Sequence, residues 1–305
     1  MASFVNDLRA SMAKRFPVVI PAALSFRRAK GHLPNIFRPK TFSEHCQARK
    51  VFDRSPKLPQ YADKVLVKSF VSRELGQSWV IPTIWHGTEL PPESKRDWKR
   101  PFVIKANNGS ATNIFVREHD TVDWAEIDLV TRNWLRKPYG LGYGEWLYRA
   151  IEPQLLVEPF IGNGTDLPVD YKFWVFHGRC VMIQVDTGRE RHHRRRFFDR
   201  NWSPLPFGLH YPIEHGEIER PSALDGMLSG AEKLGRGFGF VRVDLYEVEG
   251  APVFGEMTFY PGSGIESFTL SSVDVLLGRM WAAADRRAVI DLEVELARIC
   301  SLEVG

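Results

Sequence analysis

The stretch VRVDLYEVEGAPVFGEMTFYPGSG, residues 241–264, alternates apolar and polar positions on both sides of a Glu-Gly pair and reads as a β-hairpin running into a glycine-rich bend. It constrains the fold more than any other segment, because a one-residue slip in strand pairing sends every side chain to the other face. A two-residue turn at Glu249 and Gly250 would set Asp244 against Gly255 and turn Glu256 away. Pro252 argues against that turn, since proline removes a ladder donor. A three- or five-residue loop centred on Gly250 predicts Asp244 opposite Glu256 and Arg242 opposite Thr258, with Val241, Val243, Leu245, Val253 and Met257 on the other face. Two directly opposed acids repel. A divalent cation would relieve that repulsion, so the pair is a candidate metal site, the plainer alternative being a solvated face with a cross-strand ion pair.

A chain of 305 residues can bury a sizeable core as one large domain or two ordinary ones. Its 44% hydrophobic and 26% charged content is that of a soluble globular protein. Cys46, Cys180 and Cys300 lie far apart in no metal-ligand spacing, which fits core residues in a reducing cytoplasm rather than a disulfide framework. The apolar run in RFPVVIPAALSFRRAKG is too short to span a bilayer. Arg27, Arg28 and Lys30 follow it, so a weak association with an anionic membrane surface is the alternative to ordinary packing.

Residues up to about 95 are predicted to be mainly helical. KTFSEHCQARKVFD opens with a capping box, Thr41 with Glu44, and LPQYADKVLVKSFVSRELG follows as a second helix stopped by Gly76. The proline- and charge-rich LPPESKRDWKRP marks a boundary. Beyond it PFVIKANNGSATNIFV reads as strand, glycine loop, strand; TVDWAEIDLVTRNWLR as a helix; PQLLVEPFIG as a strand; and DYKFWVFHGRCVMIQVDTG as a hairpin around His177 and Gly178. A helix, PSALDGMLSGAEKLGRG, leads into the 241–264 hairpin, and residues 271–300 are again helical. Hairpins interleaved with helices predict an α+β architecture.

Several residues along this frame could carry chemistry. Lys105 ends a strand before Asn107, Asn108, Gly109, Ser110 and Ala111, where a lysine and backbone N–H groups can hold a phosphate. Glu158, at the end of an apolar strand, opens the hinge-like EPFI. Asp170 and Lys172 are read as alternating outward on the next strand. In GRERHHRRRFFDR five of eight consecutive residues are arginine, which suits an anionic partner bearing carboxylate or phosphate. The aromatic interleaving of a single-strand nucleic-acid platform is thin there, so no nucleic acid is expected. His192 and His193 lack helical metal-pair spacing, so no zinc site is predicted.

In order, these pieces resemble the ATP-grasp superfamily, and most closely its TupA-like branch, named for teichuronopeptide biosynthesis. ADKVLVK is similar to the helix whose lysine reaches ATP, with Lys64 the better match and Lys68 the second. FVIKANNGSATNIFV looks like the phosphate lysine and lid loop, LLVEPFIG like the adenine hinge, and VDYKFWVF like the strand after it. RVD and GEMTFYPGSG match the family's arginine, metal acids and substrate-binding glycine turn, and RPKTFSEH also looks like the TupA-like branch. The resemblance implies an α+β ATP-grasp fold with a helical N-terminal region, 1–95, and two α+β subdomains, 96–160 and 161–305, binding ATP between them. It implies an ATP-dependent ligase that joins a carboxylate to an amine or amino acid through an acyl phosphate, on a uronic-acid or polyglutamate polymer. A sugar or hydroxyl kinase and an inactive nucleotide-binding scaffold are the alternatives.

Carried onto this sequence, the resemblance puts ATP on Lys64, Lys68, Lys105, Ser110, Glu158, Phe160, Ile161 and Asp170, and magnesium on Asp244, Glu256 and Thr258. Arg242 and Lys172 would be catalytic, and Arg194, Arg196, Gly262, Ser263 and Gly264 would bind substrate. Thr258 stands where the family usually has asparagine. A homodimer in the cytoplasm, at the inner membrane face, completes the expectation.

Overall fold

The computed structural model describes residues 18–136, 139–162, 167–188 and 192–302. A helix covers 18–30 (α1). The predicted capping box starts α2 (Phe42–Phe52): Thr41 Oγ1 accepts from the Glu44 N–H at 3.1 Å while the Glu44 carboxylate accepts from Thr41 N–H. The single helix expected next is two, α3 (Leu58–Ala62) and α4 (Val67–Leu75). Asp63 divides them, its carboxylate accepting from the N–H groups of Val65 and Leu66.

A four-stranded antiparallel sheet follows from β1 (Trp85–Gly87), β2 (Phe102–Ala106), β3 (Asn113–Val116) and β4 (Leu155–Pro159), in the order β1-β4-β2-β3. Helix α5 (Trp124–Arg136) packs on it through Ile127, and the short α6 (Trp146–Arg149) precedes β4.

The larger sheet has six antiparallel strands: β5 (Asp170–Phe176), β6 (Arg179–Thr187), β7 (Arg194–Phe198), β8 (Pro204–Leu205), β9 (Phe240–Val248) and β10 (Ala251–Thr258). Their order is β10-β9-β5-β6-β7-β8. Helix α7 (Leu224–Leu234) covers one face, burying Met227, Ala231 and Leu234 against Phe173, Val175, Ile183, Val241 and Val243. Helices α2, α8 (Ser271–Trp281) and α9 (Arg286–Leu302) cover part of the other, over Trp174, Phe176, Met182, Phe197 and Phe240. Along this second face β9 runs from Phe240 to Arg242 to Asp244, and β5 antiparallel to it from Phe176 to Trp174 to Lys172. One end of the face is therefore apolar and helix-covered, and the other carries charge.

The 241–264 hairpin corrects the sequence reading in an instructive way. Its connection is the two-residue turn that Pro252 argued against: Val248 pairs with Ala251, and Glu249 and Gly250 have φ of 52° and 75°. Pro252 is tolerated because β10 is an edge strand. The expected pairing nevertheless holds. A β-bulge between Phe254 and Glu256 absorbs Gly255, so that Glu256 faces Asp244 and Thr258 faces Arg242. Before the bulge the faces are exchanged relative to expectation, so Val253 lies opposite Tyr246 and Phe254 fills the core instead.

Gly255 is needed for space, since a Cβ there would sit 2.9 Å from the Tyr246 ring and 3.0 Å from the Asp244 carbonyl oxygen. Strand propensity favours Gly255→Val, whereas packing opposes it. The expected outcome is a loss of about 1–3 kcal/mol, read from the denaturant midpoint.

Candidate functional site

Two adjoining cavities open at the charged end of the six-stranded sheet, the first of them between it and the four-stranded sheet. The first, about 250 Å³, takes apolar lining from Val80, Ile81, Val103, Phe115, Phe160 and Phe254. Its charged and polar lining includes Lys64, Lys68, Lys105, Ser110, Glu158, Asp170, Asp244 and Glu256. The second, about 850 Å³, is lined by Tyr139, Tyr143, Glu145, Tyr148, His210, Tyr211, Arg242, Thr258, Tyr260, Gly262, Ser263 and Glu266, among others. Lys64, Gly109, Ser110 and Glu256 line both and so form the junction between them.

The junction is built by the chain's own anchors. Asn107, fully buried at the end of β2, donates to Asp63 Oδ2 (2.9 Å) and to the Glu152 carbonyl (3.0 Å), and its own carbonyl accepts from the Lys64 N–H (3.2 Å). The loop 107–112 is thereby tied to the segment that carries Lys64. Lys64 Nζ then donates to the Gly109 carbonyl (2.7 Å) and to Glu256 (3.0 Å). Ser110 Oγ and Tyr139 Oη share a hydrogen bond of 2.9 Å.

Glu158 does not have the free carboxylate that a hinge residue accepting an exocyclic amine would need. It is buried, with Lys68 Nζ at 2.5 Å and Lys105 Nζ at 2.7 Å. Burial alone would raise its pKa, but the charges of Lys105 and Lys68 bring it below the usual range. Lys68 also donates to the Ile81 carbonyl and Thr83 Oγ1. The Phe160 N–H is engaged with the Pro101 carbonyl (3.0 Å), and Phe160 and Ile161 both line the smaller cavity.

Asp170 and Lys172 correct the outward reading: both are buried, and Lys172 Nζ meets Asp170 Oδ2 and, at 3.2 Å, Asp186 Oδ2. Lys172 pairs across the strands with Asp244 and belongs beneath the cavities, not on their walls. Arg242 holds Asp244 with two hydrogen bonds (2.7 and 2.6 Å) and donates to Thr258 Oγ1 (3.1 Å), which in turn donates to Glu256 Oε1 (3.1 Å). Burial pushes the Asp244 carboxyl up to about 6 in spite of Arg242 and Lys172. Glu256, which burial would also raise, is brought down to about 2 by Lys64 and Arg242.

A family model described as TupA-like ATPgrasp matches residues 44–282. The chain belongs to the TupA-like ATP-grasp family. The family expected from the quoted motifs is thus the family found, and its fold is the mixed helix and antiparallel-sheet architecture described above. The chain is similar to the D-alanine–D-alanine ligase from Bacillus anthracis at 17% identity, covering 80% of this chain and 70% of that one with a TM-score of 0.41. For the same enzyme complexed with ATP the figures are 14%, 80%, 68% and 0.42. For the ATP-grasp ligase PsnB complexed with a phosphomimetic variant of its minimal precursor, Mg and ADP, they are 11%, 68%, 51% and 0.33. No curated protein matches the chain.

In this TupA-like ATP-grasp protein the arginine run is divided by strand alternation. Arg194 and Arg196 line neither cavity; their guanidinium groups donate to the carbonyls of Ile213 (3.3 Å) and Gly216 (2.8 Å). Arg195 between them is buried and donates to both oxygens of Asp186 (2.7 and 3.3 Å) and to Glu266 (3.1 Å) on the wall of the larger cavity. Asp186 and Arg195 were not singled out from the sequence, although period-2 alternation through Arg194, Arg195 and Arg196 carried the signal. Arg189 and Arg191 lie outside the described residues. Gly262 and Ser263 line the larger cavity, whereas Gly264 packs on Cys46, where a Cβ would come within 2.3 Å.

Among the described residues no group of three or more His, Cys, Asp or Glu side chains forms a self-contained metal cage. Asp244 and Glu256 still suit magnesium, which binds hard oxygens and commonly takes only one or two protein carboxylates beside a substrate's phosphates. Thr258 Oγ1 is already engaged on both sides, by Arg242 and Glu256.

Proposed function

We propose that the chain is an ATP-dependent ligase joining a carboxylate to an amine, with ATP in the smaller cavity and the acceptor carboxylate in the larger. What carries this reading is the shared junction: Lys64, Ser110 and Glu256 face both cavities, as transfer from one bound molecule to another requires. The smaller cavity suits a nucleotide in polarity, with apolar side chains for the base and three lysines for the phosphates among its lining residues.

In this reading Lys64 and Lys105 neutralise the phosphates from two segments, and Lys68 supports them. Glu158 holds the ammonium groups of Lys68 and Lys105 at the wall. Asp244 and Glu256 would hold magnesium, with Thr258 orienting Glu256, and the dication would supply positive charge against the phosphates. Arg242, between Asp244 and the larger cavity, stabilises the transferred phosphoryl and the tetrahedral intermediate. Lys172 supports Asp244 from beneath. The loop 107–112 and Tyr139 exclude water, to which an acyl phosphate is vulnerable.

The acceptor is proposed to be an acidic polymer or its precursor, a uronic-acid glycan or polyglutamate, received against the Gly262–Ser263 turn. No helix among the described residues is long and apolar enough to cross a membrane. A cytoplasmic site at the inner membrane face, and a homodimer, are parts of the same proposal.

Hydroxylamine trapping tests the chemistry. With MgATP, polygalacturonate and hydroxylamine, the expected products are ADP and a hydroxamate, the latter dependent on both ATP and polymer. A stable phosphoester without hydroxamate would mean a kinase. Nucleotide binding that never yields ADP would mean a scaffold.

A further inference from the structure

Lys50 is wholly buried in α2, although a lysine ammonium is costly to remove from water and its stem loses rotamer freedom. Its partners come from three separate segments. Nζ donates to Gln47 Oε1 (3.1 Å) in its own helix, to the Tyr143 carbonyl (3.0 Å), and to both the carbonyl (2.8 Å) and the hydroxyl (2.9 Å) of Ser263. Three N–H donors thus meet four acceptors, so the ammonium is fully satisfied. Because lysine only donates, the Ser263 hydroxyl proton is free to go to Glu145, whose buried carboxyl is linked to it.

The Ser263 turn needs such fixing. Gly262, Ser263 and Gly264 have φ of 51°, 55° and 61°, so three successive residues occupy the left-handed region and one of them has a side chain. Gln47 adds hydrogen bonds to the carbonyls of Ser263 (3.0 Å) and Gly264 (3.1 Å). Tyr143, Glu145, Gly262 and Ser263 line the larger cavity, and Lys50 does not; it lies behind the wall they form.

We infer that Lys50 is the positioning residue of the larger cavity: its ammonium clamps the Gly262–Gly264 turn to the 139–145 loop, and so sets the shape in which the second substrate is received. What that substrate is rests on the ligase reading; the clamp does not. Lys50 touches no reacting atom, so its removal acts through the two walls it joins.

The test combines amide hydrogen exchange with kinetics on the full chain. In Lys50→Met, which keeps the stem and removes every donor, amides within 139–146 and 260–267 are expected to exchange at least tenfold faster together, while the β5–β6 hairpin keeps its protection. With polygalacturonate and glutamate as probe substrates, the KM for polygalacturonate is expected to rise about tenfold and that for MgATP to stay within threefold. Wild-type exchange in both segments, or loosening that reaches β5–β6, would overturn the inference. If the wild-type protein does not turn over this substrate pair, the ligase reading has failed and the exchange result alone decides the clamp. Should Lys50→Met not fold, Lys50→Gln, which shortens the stem and leaves two donors for the four acceptors, is expected to loosen the same two segments by a smaller factor; unchanged exchange there would overturn the inference equally.

Discussion

Glu256→Gln is expected to lower ATP turnover by about 10³-fold while leaving the thermal midpoint within a few degrees of the wild type. The carboxylate stands at the junction of the two cavities, 3.0 Å from Lys64 and 3.7 Å from the Arg242 guanidinium, and its side chain keeps 31% of its exposure. Glutamine preserves its volume and the Thr258 hydrogen bond but removes the charge that a phosphate-bound dication needs. The pair is part-exposed and its loss costs some stability, but Arg242 keeps Asp244 as its partner, so the fold is expected to survive. Asp244→Asn should lose turnover as well, at a higher structural cost, because Asp244 is buried and accepts two hydrogen bonds from Arg242, one of which an amide cannot accept. The measurement is ADP release at saturating nucleotide beside a thermal melt. Turnover that survives Glu256→Gln would remove Glu256 from the phosphate end of the site.

Arg195→Met is expected to produce the largest loss of stability, about 3–5 kcal/mol, seen as a Tm lower by roughly 10 °C. The guanidinium is almost wholly buried and links Asp186, Glu266 and the Leu209 carbonyl, so removing it takes the counter-charge from Glu266 and leaves buried Asp186 dependent on Lys172. An acid limb accompanies the effect. Burial would raise the Asp186 pKa, but Lys172, then Arg195, hold it well below the ordinary carboxylate range. A carboxylate with a depressed folded pKa contributes stability that is fully present above its unfolded pKa of about 3.9 and is lost as pH falls through the folded one. The wild-type protein should therefore lose stability steeply at low pH, and Arg195→Met should show a shallower acid limb from a lower starting value. A variant as stable as the wild type at neutral pH would show that the Arg195 network adds nothing to the fold.

What was legible in the sequence followed from period and caps. Thr41 and Glu44 announced α2, the apolar alternation of β9 and β10 announced the opposed acids, and the ordered motifs announced the family. The hairpin shows the limit. Pro252 was weighed as though β10 had a neighbour on each side, and strand order, which decides whether a proline is tolerated, is a tertiary fact. The bulge at Gly255 then corrected the register by means that no local propensity predicts.

The arginine run failed differently. Charge density drew attention to Arg194 and Arg196, but the outward residues of a strand make weak surface contacts, and the one turned inward, Arg195, joins the buried network. Strand alternation reads Asp170 and Lys172 as outward because ionised residues are usually exposed, whereas here both are buried and neighbouring strands bring Asp186 and Asp244 to Lys172 as counter-charges. Lys50 had no sequence signal at all, since apart from Gln47 its acceptors, the Tyr143 carbonyl and the carbonyl and hydroxyl of Ser263, lie some hundred and two hundred residues away.

The central claim is that a substrate carboxylate in the larger cavity attacks the nucleotide held in the smaller one. The most direct measurement uses a polymer whose carboxylates carry heavy oxygen, followed by mass analysis of the orthophosphate released with ADP. An acyl phosphate must pass one carboxylate oxygen to phosphate when the amine displaces it, so the account predicts labelled orthophosphate in step with amide formation. Unlabelled orthophosphate, or label kept wholly in the polymer, would contradict it.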